Sequence, residues 1–137
     1  MKNLLLPTLF FALVLTLTAC SSTKPDLGGE WQLVSYGDAA SPTPALPNVE
    51  TSITFESGQM GGNVGCNGFG GEYDLRGDKI TFNGIMSTMM FCDGTSTQEQ
   101  GVLAVFSDNV ALQVQVNGDS LTITSADGAS VVNLARK

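Results

Sequence analysis

Between Gly61 and Gly71 the chain reads G-G-N-V-G-C-N-G-F-G-G, and no other stretch limits the fold as strongly. Each glycine inside a helix costs about 1 kcal/mol relative to alanine, so a run this dense in glycine excludes helix. In extended chain, glycine marks bulges, bends or the close approach of another backbone. The spacing fits neither G-x-G-x-x-G opening a helix nor a phosphate-binding loop, which requires a lysine followed by Ser or Thr. No strong helical pattern follows, and Glu72-Tyr73-Asp74-Leu75 reads as strand running to a turn at Arg76-Gly77-Asp78. The stretch is expected to be one sharply curved strand that turns the corner of a barrel.

The flanking segments alternate as strands do. Trp31, Leu33 and Ser35 share one face of a strand, with Trp31 directed into the core, and Ile53 and Phe55 share one face of Thr51 to Glu56. Gly37 to Pro47, rich in proline and small residues, reads as a surface loop. Lys79 to Phe82 is a short strand, Asn83-Gly84 a turn, and Ile85 to Cys92 a further strand whose Met86, Met89 and Met90 are expected in the core. Ser96-Thr97-Gln98-Glu99 has the spacing of a capping box. Val102, Leu103, Val105 and Phe106 then form an apolar stripe, so a helix is predicted to start there and end near Ser107 to Asn109. Asn117-Gly118-Asp119-Ser120 and Asp127-Gly128 are turns that divide the C-terminal part into a three-stranded meander.

The first residues carry an address. A basic start at Lys2, an apolar run from Leu4 to Leu17 and the tetrapeptide Leu17-Thr18-Ala19-Cys20 have the order of a secretory signal. The apolar run is short for a membrane span, which needs about 20 residues. The L-T-A-C ending resembles the bacterial lipobox, which implies removal of residues 1–19, lipidation of Cys20, a tether over 20–26 and a single domain over 27–137. Ser21 after the lipidated cysteine resembles the outer-membrane sorting pattern of Gram-negative lipoproteins, which in a Gram-negative source implies an outer-membrane anchor with the domain facing the periplasm. Lys24, Arg76, Lys79, Arg136 and Lys137 then stand against thirteen acidic residues. Such a surface repels phosphate backbones, so nucleic acid is not an expected partner. Attachment to the membrane falls to the acyl chains.

With Cys20 lipidated, Cys66 and Cys92 remain as a pair in an oxidising compartment and form a candidate disulfide. A bridge there removes chain entropy worth roughly 3.5 kcal/mol. Two buried free thiols are the alternative, and the sequence leaves both open. The chain contains no histidine, so the usual nucleophilic triads are unavailable. No basic residue near Cys66 in sequence lowers its thiol pKa. Asp74 and Asp78 read as solvated acids of a tight turn rather than a calcium site. No catalytic residue, metal site or cofactor is expected.

Three motifs in this order are distinctive: L-G-G-E-W-Q-L around Trp31, G-C-N-G-F-G-G-E-Y from Gly65 through Cys66, Asn67 and Gly68 to Tyr73, and S-T-M-M-F-C with Met89, Met90 and Cys92. The helix with Glu99, Gln100, Leu103 and Phe106 also fits. Together they resemble the META domain, also called HslJ-like, over residues 27–135. Where members often carry a basic residue, Gly68 and Met89 stand here. The resemblance implies an α+β fold, a curved antiparallel sheet forming a partial barrel packed on one main helix. It also implies an envelope lipoprotein associated with stress tolerance and not known as a catalyst.

The function expected on these grounds is a non-enzymatic, monomeric module that binds an envelope protein or peptide. The alternative is a carrier of a small apolar ligand, which requires a cavity lined by residues such as Phe69, Tyr73 and Phe82. A thiol-redox role for Cys66 is the third reading.

Overall fold

A computed structural model describes residues 24–137; the signal segment and Cys20 lie outside the described residues. In chain order the elements are β1 (Gly29–Asp38), β2 (Thr43–Pro44), β3 (Ser52–Glu56), β4 (Gln59–Asn63), β5 (Gly68–Arg76), β6 (Lys79–Ser87), α1 (Ser96–Val105), β7 (Ala111–Asn117), β8 (Ser120–Thr124) and β9 (Ser130–Arg136). Every strand pairing is antiparallel. From β3 to β9 each strand pairs with the next, and β1 closes the ring by pairing with both β3 and β9. The sheet is thus a closed eight-stranded barrel with β2 as an appendage of β1. The partial barrel expected from sequence is corrected by the length of β1. Its first residues, Gly29 to Trp31, pair with β3, while Trp31 to Asp38 run along β9.

Up-and-down connection gives the barrel two distinct ends. One end gathers the start of β1, the β5–β6 turn and the end of β9; the other gathers the β4–β5 turn, the end of β6 and α1. The barrel is parted at this second end. β6 and β7 pair only from Lys79 to Thr81, against Gln113 to Ala111. The chain between them forms α1, which lies against β1 and β9.

The interior is filled by side chains. Trp31, Ile53, Phe55, Ile80, Phe82, Leu121 and Ile123 from the strands are buried with Val102, Val105 and Phe106 from the helix. Each such residue contributes about 1.5–3 kcal/mol on leaving water. Trp31 is fully buried, donates from Nε1 to Leu27 O at 2.9 Å, and lies 4.2 Å below the Arg136 guanidinium. A bulge between Leu33 and Ser35 shifts the alternation of β1. It is Tyr36, not Ser35, that joins Trp31 and Leu33 inside.

Three local expectations are overturned. The glycine-rich stretch is not one curved strand but a hairpin, β4 and β5 joined through Val64 to Asn67. Glycine is needed because the backbones crowd: a Cβ on Gly62 would strike Ser52 O and the Cα of Ile53, and one on Gly71 would sit 2.8 Å from Ile85 Cδ1. Asn83-Gly84 is no turn, because β6 runs through it to Ser87, with Gly84 at φ 64° in a bulge of β6 where Gly84 and Ile85 together face Gly71. Residues 88–92 form a loop rather than a strand, and Met86, Met89 and Met90 face solvent instead of the core.

Candidate functional site

The β4–β5 turn and the 88–92 loop meet at the parted end of the barrel, joined by a disulfide between Cys66 and Cys92 with Cα atoms 6.2 Å apart. Beside it Asn67 uses both ends of its amide. Oδ1 accepts from Met90 N at 2.7 Å and Thr88 Oγ1 at 2.8 Å; Nδ2 donates to Met90 O at 3.1 Å and to Glu99 Oε2 at 2.7 Å. Asn67 therefore pairs with the Met90 backbone as a neighbouring strand would.

Glu99 anchors this arrangement from α1. Its Oε1 accepts from the backbone N–H of Cys66, from Asn67 N at 3.2 Å and from Thr95 Oγ1 at 3.1 Å. Burial works to raise the Glu99 pKa, but the Asn67 side chain, the Cys66 and Asn67 amides and Thr95 together hold the carboxyl below its ordinary value. The capping box expected at Ser96 does not form. Thr95 is the N-cap residue without a side-chain cap bond, and the Glu99 carboxylate serves the opposing loop. Next to it, Gln98 is fully buried, donates from Nε2 to Val64 O and accepts at Oε1 from Leu46 N at 2.7 Å. Gly65 completes the turn, with Asn63 Oδ1 accepting from its N–H at 2.8 Å.

What this scaffold presents is apolar. Met86 is 76% exposed, Met89 96%, Met90 58% and Phe91 90%. Between the loop and α1 runs a groove of about 430 Å³ whose walls include Met90, Phe91, Gln100 and Leu103. A second hollow of about 890 Å³ follows the outer face of β5 and β6 past Met86. The end of β6 also keeps a free edge. Thr88 N donates to Gly68 O at 2.9 Å, so Ser87, opposite Phe69, directs its own N–H and C=O away from β5. On that side β7 is absent; Asp108 accepts from Ile85 N at 3.0 Å, and the covering ends there.

Of the residues singled out from sequence, Gly65, Cys66, Asn67, Gly68, Met89, Met90 and Cys92 converge here. Trp31 and Tyr73 do not: Trp31 is core, and Tyr73 packs edge-on against Phe55 at 5.5 Å. Phe69 and Phe82 both pack on Phe106, at 6.1 and 5.0 Å between centroids, so the aromatics proposed to line a cavity are packed on other rings. Gln98 and the structural role of Glu99 escaped the sequence reading. Their trace was polar residues one turn ahead of Val102 and Phe106, on the buried face of the helix. Among the described residues, no group of three His, Cys, Asp or Glu side chains is placed to hold a metal ion.

The profile of the META domain matches residues 21–137, taking in both cysteine segments and the helix that joins them. The chain belongs to the META domain family. A comparison with curated proteins returns no match. Among solved structures, the NMR structure of a protein from Burkholderia xenovorans is similar at a TM-score of 0.66 and 17% identity, over 96% of this chain and 99% of that one. A crystal structure of a DUF4847 family protein from Bacteroides vulgatus reaches 0.58 at 14% identity, over 81% and 94%. At such identities the likeness is one of fold. In this META domain the G-C-N and M-M-F-C motifs are the two halves of one pinned loop assembly.

Proposed function

We propose that the protein is a non-enzymatic lipoprotein of the cell envelope, held by acyl chains on Cys20, whose META domain binds a protein or peptide partner in support of stress tolerance. In a Gram-negative source it faces the periplasm from the outer membrane. The observation that carries partner binding is the solvent exposure of Met89, Met90 and Phe91 on a loop held by a disulfide and the Asn67 bonds, next to the exposed Met86 at the end of β6. Large apolar side chains grouped on a surface mark interaction sites, and methionine adapts to varied partners. Fixing the loop in advance lowers the entropy lost on binding.

The test is photo-crosslinking in cells, at native expression level, from a benzoylphenylalanine placed at Phe91. One recurrent envelope protein, captured from Phe91 and not from a control position at Arg76, is the expected result. Absence of any recurrent protein, or turnover of a substrate by the purified domain, would overturn the reading.

A further inference from the structure

The groove beside the exposed loop has three properties that together define an occupant. Its floor edge is main chain: Ser87 points an N–H and a C=O away from β5, where no strand follows. Its walls bring Met90 and Phe91 on the loop opposite Leu103 on α1, with Ser96, Glu99 and Gln100 of the helix also lining it. Among the described residues, its end of the barrel is free of cations. Arg76 and Lys79 flank the β5–β6 turn, Lys24 precedes β1, and Arg136 and Lys137 end β9, so all five Lys and Arg side chains of the described residues lie at the far end of the barrel. On the groove's side of the opposite end stand Asp93, next to Cys92, and Asp108, bonded to Ile85 N, while Asp38 and Asp127 lie across that end; among the described residues no cation joins them.

We infer that this groove receives an extended polypeptide segment of alternating apolar and basic residues, added as a strand to the free edge of β6. The inference rests on the protein-binding reading above and names the chemistry of the bound segment. Strand addition supplies affinity through main-chain hydrogen bonds, and the pockets beside the edge select alternate side chains. Here the apolar set meets Met90, Phe91 and Leu103, and the basic set meets Asp93 and Asp108 with no competing cation nearby among the described residues. An acidic segment is repelled by the same carboxylates.

The experiment is hydrogen-exchange mass spectrometry of the full chain in detergent micelles. The probe is acetyl-Lys-Val-Arg-Leu-Lys-Val-Arg-amide, and its control replaces Lys and Arg by Glu. The expected result is at least tenfold slower exchange confined to residues 84–92 with the basic peptide and no change with the acidic one. Ser87→Pro removes the outward N–H without breaking a bond to β5, so it should abolish the protection, whereas Ser87→Ala should retain it. Phe91→Ser and Leu103→Ser should each reduce it. Equal protection by both peptides, protection elsewhere, persistence in Ser87→Pro, or none at all would overturn strand addition. So would protection of the same loop by phosphatidylglycerol vesicles without peptide, which would identify a lipid surface instead. If crosslinking from Phe91 captures a protein while the peptide gives no protection, the protein-binding reading stands and this inference falls; if both fail, both fall.

Discussion

Gly65 has no space for a side chain, because a Cβ there would strike the Glu99 carboxylate and lie 2.9 Å from the Thr95 Cβ. Gly65→Ala is expected to cost about 1–3 kcal/mol, the usual range for overpacking, read as a lower urea midpoint at unchanged slope. Glu99 itself sets an acid dependence. Its folded pKa lies below the ordinary 4.5, so the stabilisation is complete above that value and is lost as the pH falls through the folded one. Glu99→Gln should lower stability at neutral pH and narrow its difference from the wild type on acidification. A difference that stays constant down to pH 3 would remove Glu99 from the acid response. Sequence alone could not reach this residue's role, since Ser96-x-x-Glu99 matches a capping box and the competing partner sits 33 positions away. Trp31 was legible because a lone tryptophan in an alternating strand has one good place to go. Tyr36 was not, because a single bulge reverses which face is buried.

The elements divide between those fixed by local chemistry and those fixed by distant contacts. The β7–β8–β9 meander could be read directly, with Gly118 and Gly128 at φ 59° and 76° in the predicted turns. The β4–β5 hairpin could not, since its glycines answer to Ser52, Ile53 and Ile85 rather than to a turn of their own. Met86 to Phe91 defied the rule that apolar residues are buried, and that failure is what drew attention to the loop. Two restraints hold the loop, and they are separable. Cys66→Ser with Cys92→Ser should lose about 2–4 kcal/mol in denaturant melts, yet the Met90 amide should keep its exchange protection through Asn67. Asn67→Ala in the bridged protein should show the reverse, with Met90 exchange accelerated and a smaller loss of stability. Helix α1 depends on fit as well: Gly101 lies against the Tyr36 ring, where a Cβ would approach to 2.6 Å. Gly101→Ala should therefore destabilise the domain despite raising helix propensity by about 1 kcal/mol, measurable as a lower melting temperature.

At the scale of the molecule, charge and topology give the barrel a polarity. Three of the five cations at the far end are paired with acids: Arg76 with Asp74 at 2.7 Å, Arg136 with Asp119 at 3.8 Å and Lys137 with Glu30 at 2.9 Å. The opposite end keeps its negative field, so binding of a basic peptide should weaken as salt rises from 50 to 500 mM. A salt-independent affinity would show that the carboxylates take no part. Closure of the ring through β1 and β9 has a further consequence, in time rather than in space. The chain emerges into its folding compartment with β1 ahead of β9, and the rungs from Trp31–Arg136 to Asp38–Ser130 join residues about a hundred positions apart. Until β9 docks, β1 offers an unpaired edge from Trp31 to Asp38, eight residues long, a template for wrong partners. Contacts of such long separation also form slowly. The chain therefore passes through its most aggregation-prone state before β9 docks, and a variant lacking Ser130 to Lys137 should remain there.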